Sequence, residues 1–257
     1  MGVIAAKDDN EEDDGPASRF ATSLLRHLLK GFASKNKTVR YRCAQLVAQM
    51  INGLGEMDED VYDILRDCLI ERIKDKEAPV RVQAVIALSK LQNPGTVESD
   101  FDPDADSEED DSPTIALIRI MTHDPSAEVR RAALFQLDLE PAVLPSILSR
   151  TKDVDVNNRR LAFQSSLIDL PHTSLSKEQK LQIIKSGLKD REAAVQRSAA
   201  KLVAKWAGDD LIGLLESFGI LEASVEDNKT LEEGLFAILD ARRDLLEDLN
   251  FDGQCKS

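Results

Sequence analysis

Apolar positions along the chain recur at intervals of three and four residues, which places them on one face of a helix with 3.6 residues per turn. Leu65, Leu69, Ile70 and Ile73 form one such stripe. With the cap and turn residues between stripes, the pattern predicts helices near 17–33, 38–53, 59–74, 79–92, 113–122, 127–138, 141–150, 156–168, 176–188, 192–206, 208–217 and 229–247.

A second pattern repeats on top of the stripes. A polar or acidic residue is followed by four positions, then Val-Arg, then a small residue three places on. It occurs as Asp75…Val80-Arg81 with Ala84, as Asp124…Val129-Arg130 with Ala133, and as Asp190…Val195-Gln196 with Ala199. Ser34…Val39-Arg40 with Cys43 is the first copy, and Asp153…Asn158-Arg159 with Ala162 is a degenerate one. Seven residues after each Arg position the chain has Val47, Leu88, Leu137 and Val203, and only Ser166 departs from this. The Arg positions step by 41, 49, 29 and 37 residues, and the longest step contains an acidic insertion, so the underlying period is near 40. That is the period of HEAT and armadillo units, built from two and three helices respectively.

The pattern has a physical logic. Asp suits a helix N-cap or the turn between two helices. Pro79 and Pro125 are tolerated there because the first helical turn leaves their missing N–H unneeded. Val opens the buried stripe, and the small residue lets the next helix approach. The Arg can reach the Asp of a neighbouring repeat and set register along a ladder. The predicted fold class is therefore all-α: a HEAT-repeat, armadillo-like superhelical solenoid of five or six repeats, each burying its apolar face only by stacking.

Composition supports this. Hydrophobic residues make up 42% of the chain and aromatics only 4%, which suits helical packing on Leu, Ala, Val and Ile. No apolar stretch is long enough to predict a membrane span. The acidic start Asp8-Asp9-Asn10-Glu11-Glu12-Asp13-Asp14 lacks the basic and apolar regions of a secretory signal. Cys43, Cys68 and Cys255 fit neither a disulfide framework nor a zinc spacing, so a reducing, intracellular compartment is expected.

The net charge of −14 is unevenly spread. Residues 1–14 carry −5, 98–112 carry −9 and 222–257 carry −6, leaving +6 on the rest. The expected organisation is an acidic disordered tail over 1–16, HEAT repeats over 17–97, an acidic disordered insertion over 98–112, HEAT repeats over 113–221, and a C-terminal helix with an acidic tail over 222–257. Acidic blocks around a mildly basic body suit a body that meets an anion. They equally suit segments that only keep the chain soluble. Within the insertion, Ser107-Glu108-Glu109-Asp110 resembles an acidophilic kinase site and Ser112-Pro113 a proline-directed one.

No catalytic constellation is visible. His27, His123 and His172 are scattered, and no Gly-rich phosphate loop is present. The chain is expected to be no enzyme, with no cofactor, no metal and no small-molecule substrate. Basic clusters are the sharper signal. Lys35, Lys37, Arg40 and Arg42 lie at one loop and helix start, Arg130-Arg131 and Arg159-Arg160 at the corresponding places further on, and Lys189, Arg191 and Arg197 in the last copy. Stacked repeats align such sites along one edge, where cations can follow a phosphate backbone irrespective of base sequence. Arg40, Arg81, Arg130 and Arg159 are also the repeat's ladder residues, a structural role that competes with DNA binding. Lys35, Lys37, Arg42, Arg131 and Arg160 are not required by the repeat.

Several local strings resemble one family. Leu24-Leu25-Arg26-His27-Leu28-Leu29-Lys30-Gly31, then Lys35-Asn36-Lys37-Thr38-Val39-Arg40-Tyr41-Arg42, are similar to an early repeat of the condensin subunit of the CAP-G/Ycg type. Gly55-Glu56-Met57-Asp58-Glu59-Asp60, Leu69-Ile70-Glu71-Arg72-Ile73-Lys74-Asp75, and Val80-Arg81-Val82-Gln83-Ala84 follow in that family's order. Val129-Arg130-Arg131-Ala132-Ala133-Leu134, Arg150-Thr151-Lys152-Asp153, Asn158-Arg159-Arg160 and Gly187-Leu188-Lys189-Asp190-Arg191 continue it. The resemblance runs from about residue 17 to about 221. It implies a non-catalytic HEAT subunit that binds the kleisin and, through it, the SMC ATPase subunits, and that helps hold duplex DNA in mitotic chromosome condensation. It also implies the nucleus and condensed chromosomes as location, with a cytoplasmic pool. Members of that family are several times longer, so the chain is expected to be an N-terminal portion or a truncated form. The competing expectation is a HEAT scaffold that binds only proteins, such as a transport receptor, phosphatase scaffold or vesicle adaptor.

Overall fold

The computed structural model describes residues 16–51, 58–93, 95, 112–207 and 225–241. Ser107, the predicted helix 208–217 and nearly all of the predicted acidic tail and insertion lie outside these residues. The chain divides into two compact units, 1–91 and 92–257.

The first unit is two helix pairs. Helix α1 (Pro16–Lys30) starts on a proline and ends in a short 3-10 turn, Gly31–Ala33. Helices α2 (Lys37–Ile51), α3 (Glu59–Arg72) and α4 (Ala78–Leu88) follow. The stripe residues do what their spacing requires: Leu25, Leu29, Phe32, Ala44, Val47, Leu65, Leu69, Ile73, Val80, Ala84 and Leu88 form the core. Helix α2 packs on α1 and α4, and α3 on α1 and α4. Val39 is an exception, 40% exposed although it occupies the repeat's Val position. It lies beside Gly31, which offers no side chain to cover it.

The second unit contains α5 (Pro113–His123), α6 (Ala127–Gln136), α7 (Leu144–Ser149), α8 (Val156–Leu161), α9 (Lys177–Leu188), α10 (Ala193–Ala207) and α11 (Val225–Ala241). Its core includes Ile118, Met121, Val129, Ala133, Leu134, Ile147, Phe163, Ile183, Val195, Ala199, Val203 and Trp206. At the degenerate repeat, α8 gives way to a π turn, Ala162–Ser166. Ser166, the position that broke the sequence pattern, closes that turn. Helix α11 packs on α9 and α10, so part of the predicted C-terminal acidic region is a docked helix.

No strand occurs among the described residues, and no described helix is long and apolar enough to cross a membrane. The fold is the one the repeat predicts: all-α, HEAT-repeat and armadillo-like.

Candidate nucleic-acid interface

The repeat motif builds one local structure several times. The first polar residue of each copy makes a turn, accepting from the backbone N–H two positions on, as Asx turns do. Asn36 N donates to Ser34 Oγ (3.2 Å), Glu77 N to Asp75 Oδ1 (2.9 Å), Ser126 N to Asp124 Oδ1 (2.8 Å), Asp155 N to Asp153 Oδ1 (2.8 Å) and Glu192 N to Asp190 Oδ1 (2.8 Å). The second helix starts three residues after the turn residue, and its fourth residue is the repeat's Arg or Gln.

That fourth residue binds once in all five copies and, at Arg40, Arg130 and Arg159, a second time. Its first anchor is the carbonyl of its own turn residue. Arg40 Nη1 donates to Ser34 O (2.9 Å), Arg81 Nη1 to Asp75 O (2.8 Å), Arg130 Nη1 to Asp124 O (2.8 Å), Arg159 Nη1 to Asp153 O (2.9 Å) and Gln196 Nε2 to Asp190 O (2.6 Å). Its second anchor is the turn carboxylate of a following repeat. Arg40 forks onto Asp75 (Nε–Oδ2 2.6 Å, Nη2–Oδ1 3.1 Å), Arg130 onto Asp153 (2.9 and 2.8 Å) and Arg159 onto Asp190 (2.6 and 3.1 Å). All six side chains in these pairs are at most 8% exposed.

Burial pushes the Asp75, Asp153 and Asp190 carboxyls up. The arginine hydrogen bonds, the backbone N–H and the nearby positive charge outweigh it, so all three sit below the ordinary aspartate value. Arg40, Arg130 and Arg159 are held above theirs, chiefly by the hydrogen bond to the partner Asp. These three guanidiniums are committed to carboxylates inside the repeat stack, and a phosphate would have to displace a buried bidentate partner to reach them.

Two contributors were missed in the sequence. Arg72 and Arg150 stand three residues before Asp75 and Asp153 and donate to them at 3.0 and 3.2 Å. Each also closes the end of the preceding first helix, Arg72 on Phe32 O (2.9 Å) and Arg150 on Met121 O (3.2 Å). The signal was an Arg-x-x-Asp spacing in both copies. Asn158 looked like decay of the repeat's Val, yet it is 1% exposed and has a purpose. Its Nδ2 donates to Ala127 O (3.1 Å) and its Oδ1 accepts from Arg131 Nε (3.0 Å).

The remaining predicted site residues lie on the surface. In the first unit Lys35 is exposed, Lys37 is 67% exposed at 3.6 Å from Glu77, and exposed Arg42 donates to Gln45 Oε1 (2.7 Å) and lies 5.5 Å from the Tyr41 ring centre. Lys76 stands five residues before Arg81, as Lys35 stands before Arg40, and it too is exposed, with Lys74 beside it. The repeat register pointed to Lys76, which the sequence reading did not include.

In the second unit Arg131 is 35% exposed and paired with Asp155 Oδ1 at 3.0 Å. Lys189 is paired with Glu233 Oε2 at 3.0 Å. Arg191 is exposed, and Arg160 is exposed with no ion pair among the described residues. Ser112 is half-buried and immediately precedes α5.

Buried turn carboxylates clamped by the arginine of another repeat, on stacked antiparallel helix pairs, define a HEAT-type repeat protein. No family model matches the chain. Its relatives are more specific. It is 37% identical over 244 residues to condensin complex subunit 3 of Schizosaccharomyces pombe, covering 93% of this chain and 26% of that protein. It is 35% identical over 260 residues to condensin complex subunit 3 of Saccharomyces cerevisiae, covering 97% of this chain and 24% of that one. A chain in the crystal structure of the S. pombe condensin Cnd3-Cnd2 subcomplex superposes with a TM-score of 0.78 at 33% identity, over 91% of this chain and 29% of its own length. The chain is thus a homologue of condensin complex subunit 3 and spans about a quarter of the length of these relatives.

Proposed function

We propose that the chain is a condensin subunit of the CAP-G/Ycg type, or the part of one that its length covers. In this reading it binds the kleisin, meets the SMC ATPase subunits through it, and holds duplex DNA without regard to sequence. The observation that carries this is the 37% identity to condensin complex subunit 3 along nearly the whole chain. The likeness to a chain solved within a condensin subcomplex supports the kleisin part. The subunit works without catalysis or cofactor, in the nucleus and on condensed chromosomes, with a cytoplasmic pool.

The DNA role falls to cations outside the ladder. In the first unit these are Lys35, Lys37 and Arg42, and the exposed Lys74 and Lys76 join them. In the second they are Arg160 and Arg191, joined by Arg131 and Lys189 when phosphate replaces their half-buried carboxylate partners. Such contacts release counterions and carry no base information. The protein-only scaffold draws on one observation, that Lys37, Arg131 and Lys189 already stand beside carboxylates.

A titration of labelled duplex separates the two, comparing the wild type with a Lys35→Glu, Lys37→Glu, Arg42→Glu triple variant at two salt concentrations. The DNA reading expects weaker binding and a salt dependence flatter by about one unit of slope per lost contact. Co-purification with a kleisin segment should survive the triple change. Equal affinities and slopes would leave the protein-only scaffold standing.

A further inference from the structure

Helix α1 carries a polar constellation that neither the ladder nor the DNA edge uses. Arg19, Arg26, His27 and Lys30 recur at helical spacing, so they share one side of the helix over roughly three turns. Thr22 and Ser23 add hydroxyls between them. With Asp58, just ahead of α3, these side chains surround a pocket of about 500 Å³. Arg26 reaches across to Asp60 at 3.0 Å, in a pair whose side chains are 51% and 67% exposed.

We propose that this pocket binds a phosphorylated peptide segment of a partner protein. The donors suit a phosphate dianion: the Arg26 guanidinium, the Lys30 ammonium, the His27 imidazole and two hydroxyls, all presented by one helix. Arginine clusters of this kind recognise phosphorylated motifs. The pocket is open to solvent and polar, with room for a phosphorylated side chain and its neighbours to lie against the helix. Because the Arg26–Asp60 pair is exposed, an incoming phosphate displaces Asp60 at little cost.

The acidic start of α3 decides between a peptide and a nucleic acid. Asp58 lines the pocket, and Glu59 and Asp60 follow it directly. A duplex brings negative charge along its whole length and meets these carboxylates with like charge. A peptide brings one phosphate to the cations and offers backbone N–H groups to Asp58. None of the pocket's residues belongs to the DNA edge of the proposed function, and the proposal does not depend on it.

The test is an NMR titration of the full 15N-labelled chain with a short peptide carrying one central phosphoserine, and with its unphosphorylated form. Phosphopeptide should shift α1 amides saturably, the unphosphorylated peptide should not, and inorganic phosphate should reverse the shifts. An Arg26→Gln, Lys30→Gln variant should weaken binding about tenfold or more, the loss of a charge-assisted hydrogen bond. Both residues are exposed and Gln keeps helix propensity, so helicity by circular dichroism should not change. The same variant should bind duplex DNA as the wild type does, whatever the DNA edge does. Equal shifts from both peptides, or no saturation at about 10 mM, weaker than any useful affinity, overturn the proposal. So does a variant that loses duplex affinity while phosphopeptide leaves α1 unshifted, which would give the pocket to DNA.

Discussion

Removing the Asp153 carboxylate should cost far more than removing any surface charge. Its side chain is 1% exposed. It accepts from Arg130 Nε at 2.9 Å and Nη2 at 2.8 Å, from Arg150 Nη1 at 3.2 Å and from Asp155 N at 2.8 Å. Asp153→Ala deletes all four bonds and leaves two guanidiniums, 8% and 14% exposed, without their counter-charge. Breaking a buried pair on one side costs about 3–5 kcal/mol. Backbone carbonyls still hold part of each guanidinium, so the lower half of that range is expected. Trp206, the one tryptophan of the chain, is 5% exposed in the same unit and reports its unfolding by fluorescence. With a urea slope of about 2 kcal/mol per molar, the midpoint should fall by about 1.5–2 M. Asp169→Ala is the control. It removes the exposed partner of Lys205, 53% and 84% exposed at 2.7 Å, and should cost less than about 1 kcal/mol. An Asp153→Ala midpoint no lower than the control's would refute the claim that the ladder couples repeats through buried charge.

Three further outcomes follow from the same geometry. Because Asp75, Asp153 and Asp190 are held below the ordinary aspartate value, their stabilisation is complete above the unfolded value near about 3.9 and is lost as pH falls toward the folded values. Urea midpoints should therefore be level above about pH 5 and drop below about pH 4, and an Asp190→Asn variant should drop less steeply; equal slopes would count against the ladder's role. Gly187→Ala should destabilise by about 1–3 kcal/mol in the Trp206 assay, since the new Cβ would overlap Ala199 Cβ and stand 3.0 Å from the Phe163 ring, and Ala199→Gly in the same chain should restore part of the loss. Asn158→Val, which restores the repeat's own residue, should lower stability by about 1–3 kcal/mol because Ala127 O and Arg131 lose a buried partner, whereas a neutral or stabilising result would mean the Asn is mere drift.

The ladder also explains why the repeat tolerates unequal connections. Arg40 reaches an Asp 35 residues on, Arg130 one 23 on and Arg159 one 31 on, yet the three forks share one geometry. Stacking fixes where the fourth residue of one second helix meets the turn before the next. The connecting chain only has to span that distance, so its length is free.

The sequence by itself determined the helices, the repeat and the turn residues, because these depend on local period and local hydrogen bonding. The stripes from Leu65 to Ile73 and the Asp-to-Val-Arg spacing need only 3.6 residues per turn and a side chain able to bond its own backbone. Which carboxylate each arginine takes was decided by the tertiary structure, since the partners lie at no fixed separation along the chain. The repeat itself marked Arg40 as a ladder residue and Lys35 as outside it, and stacking clamps the one on Asp75 while the other faces solvent. How far Arg131 and Lys189 are covered was decided only by the carboxylates that packing brings to them. Arg72, Arg150 and Asn158 were hidden for that reason too: each acts on a backbone carbonyl or charge some 30 to 40 residues away, brought within about 3 Å only when one helix pair packs on the next.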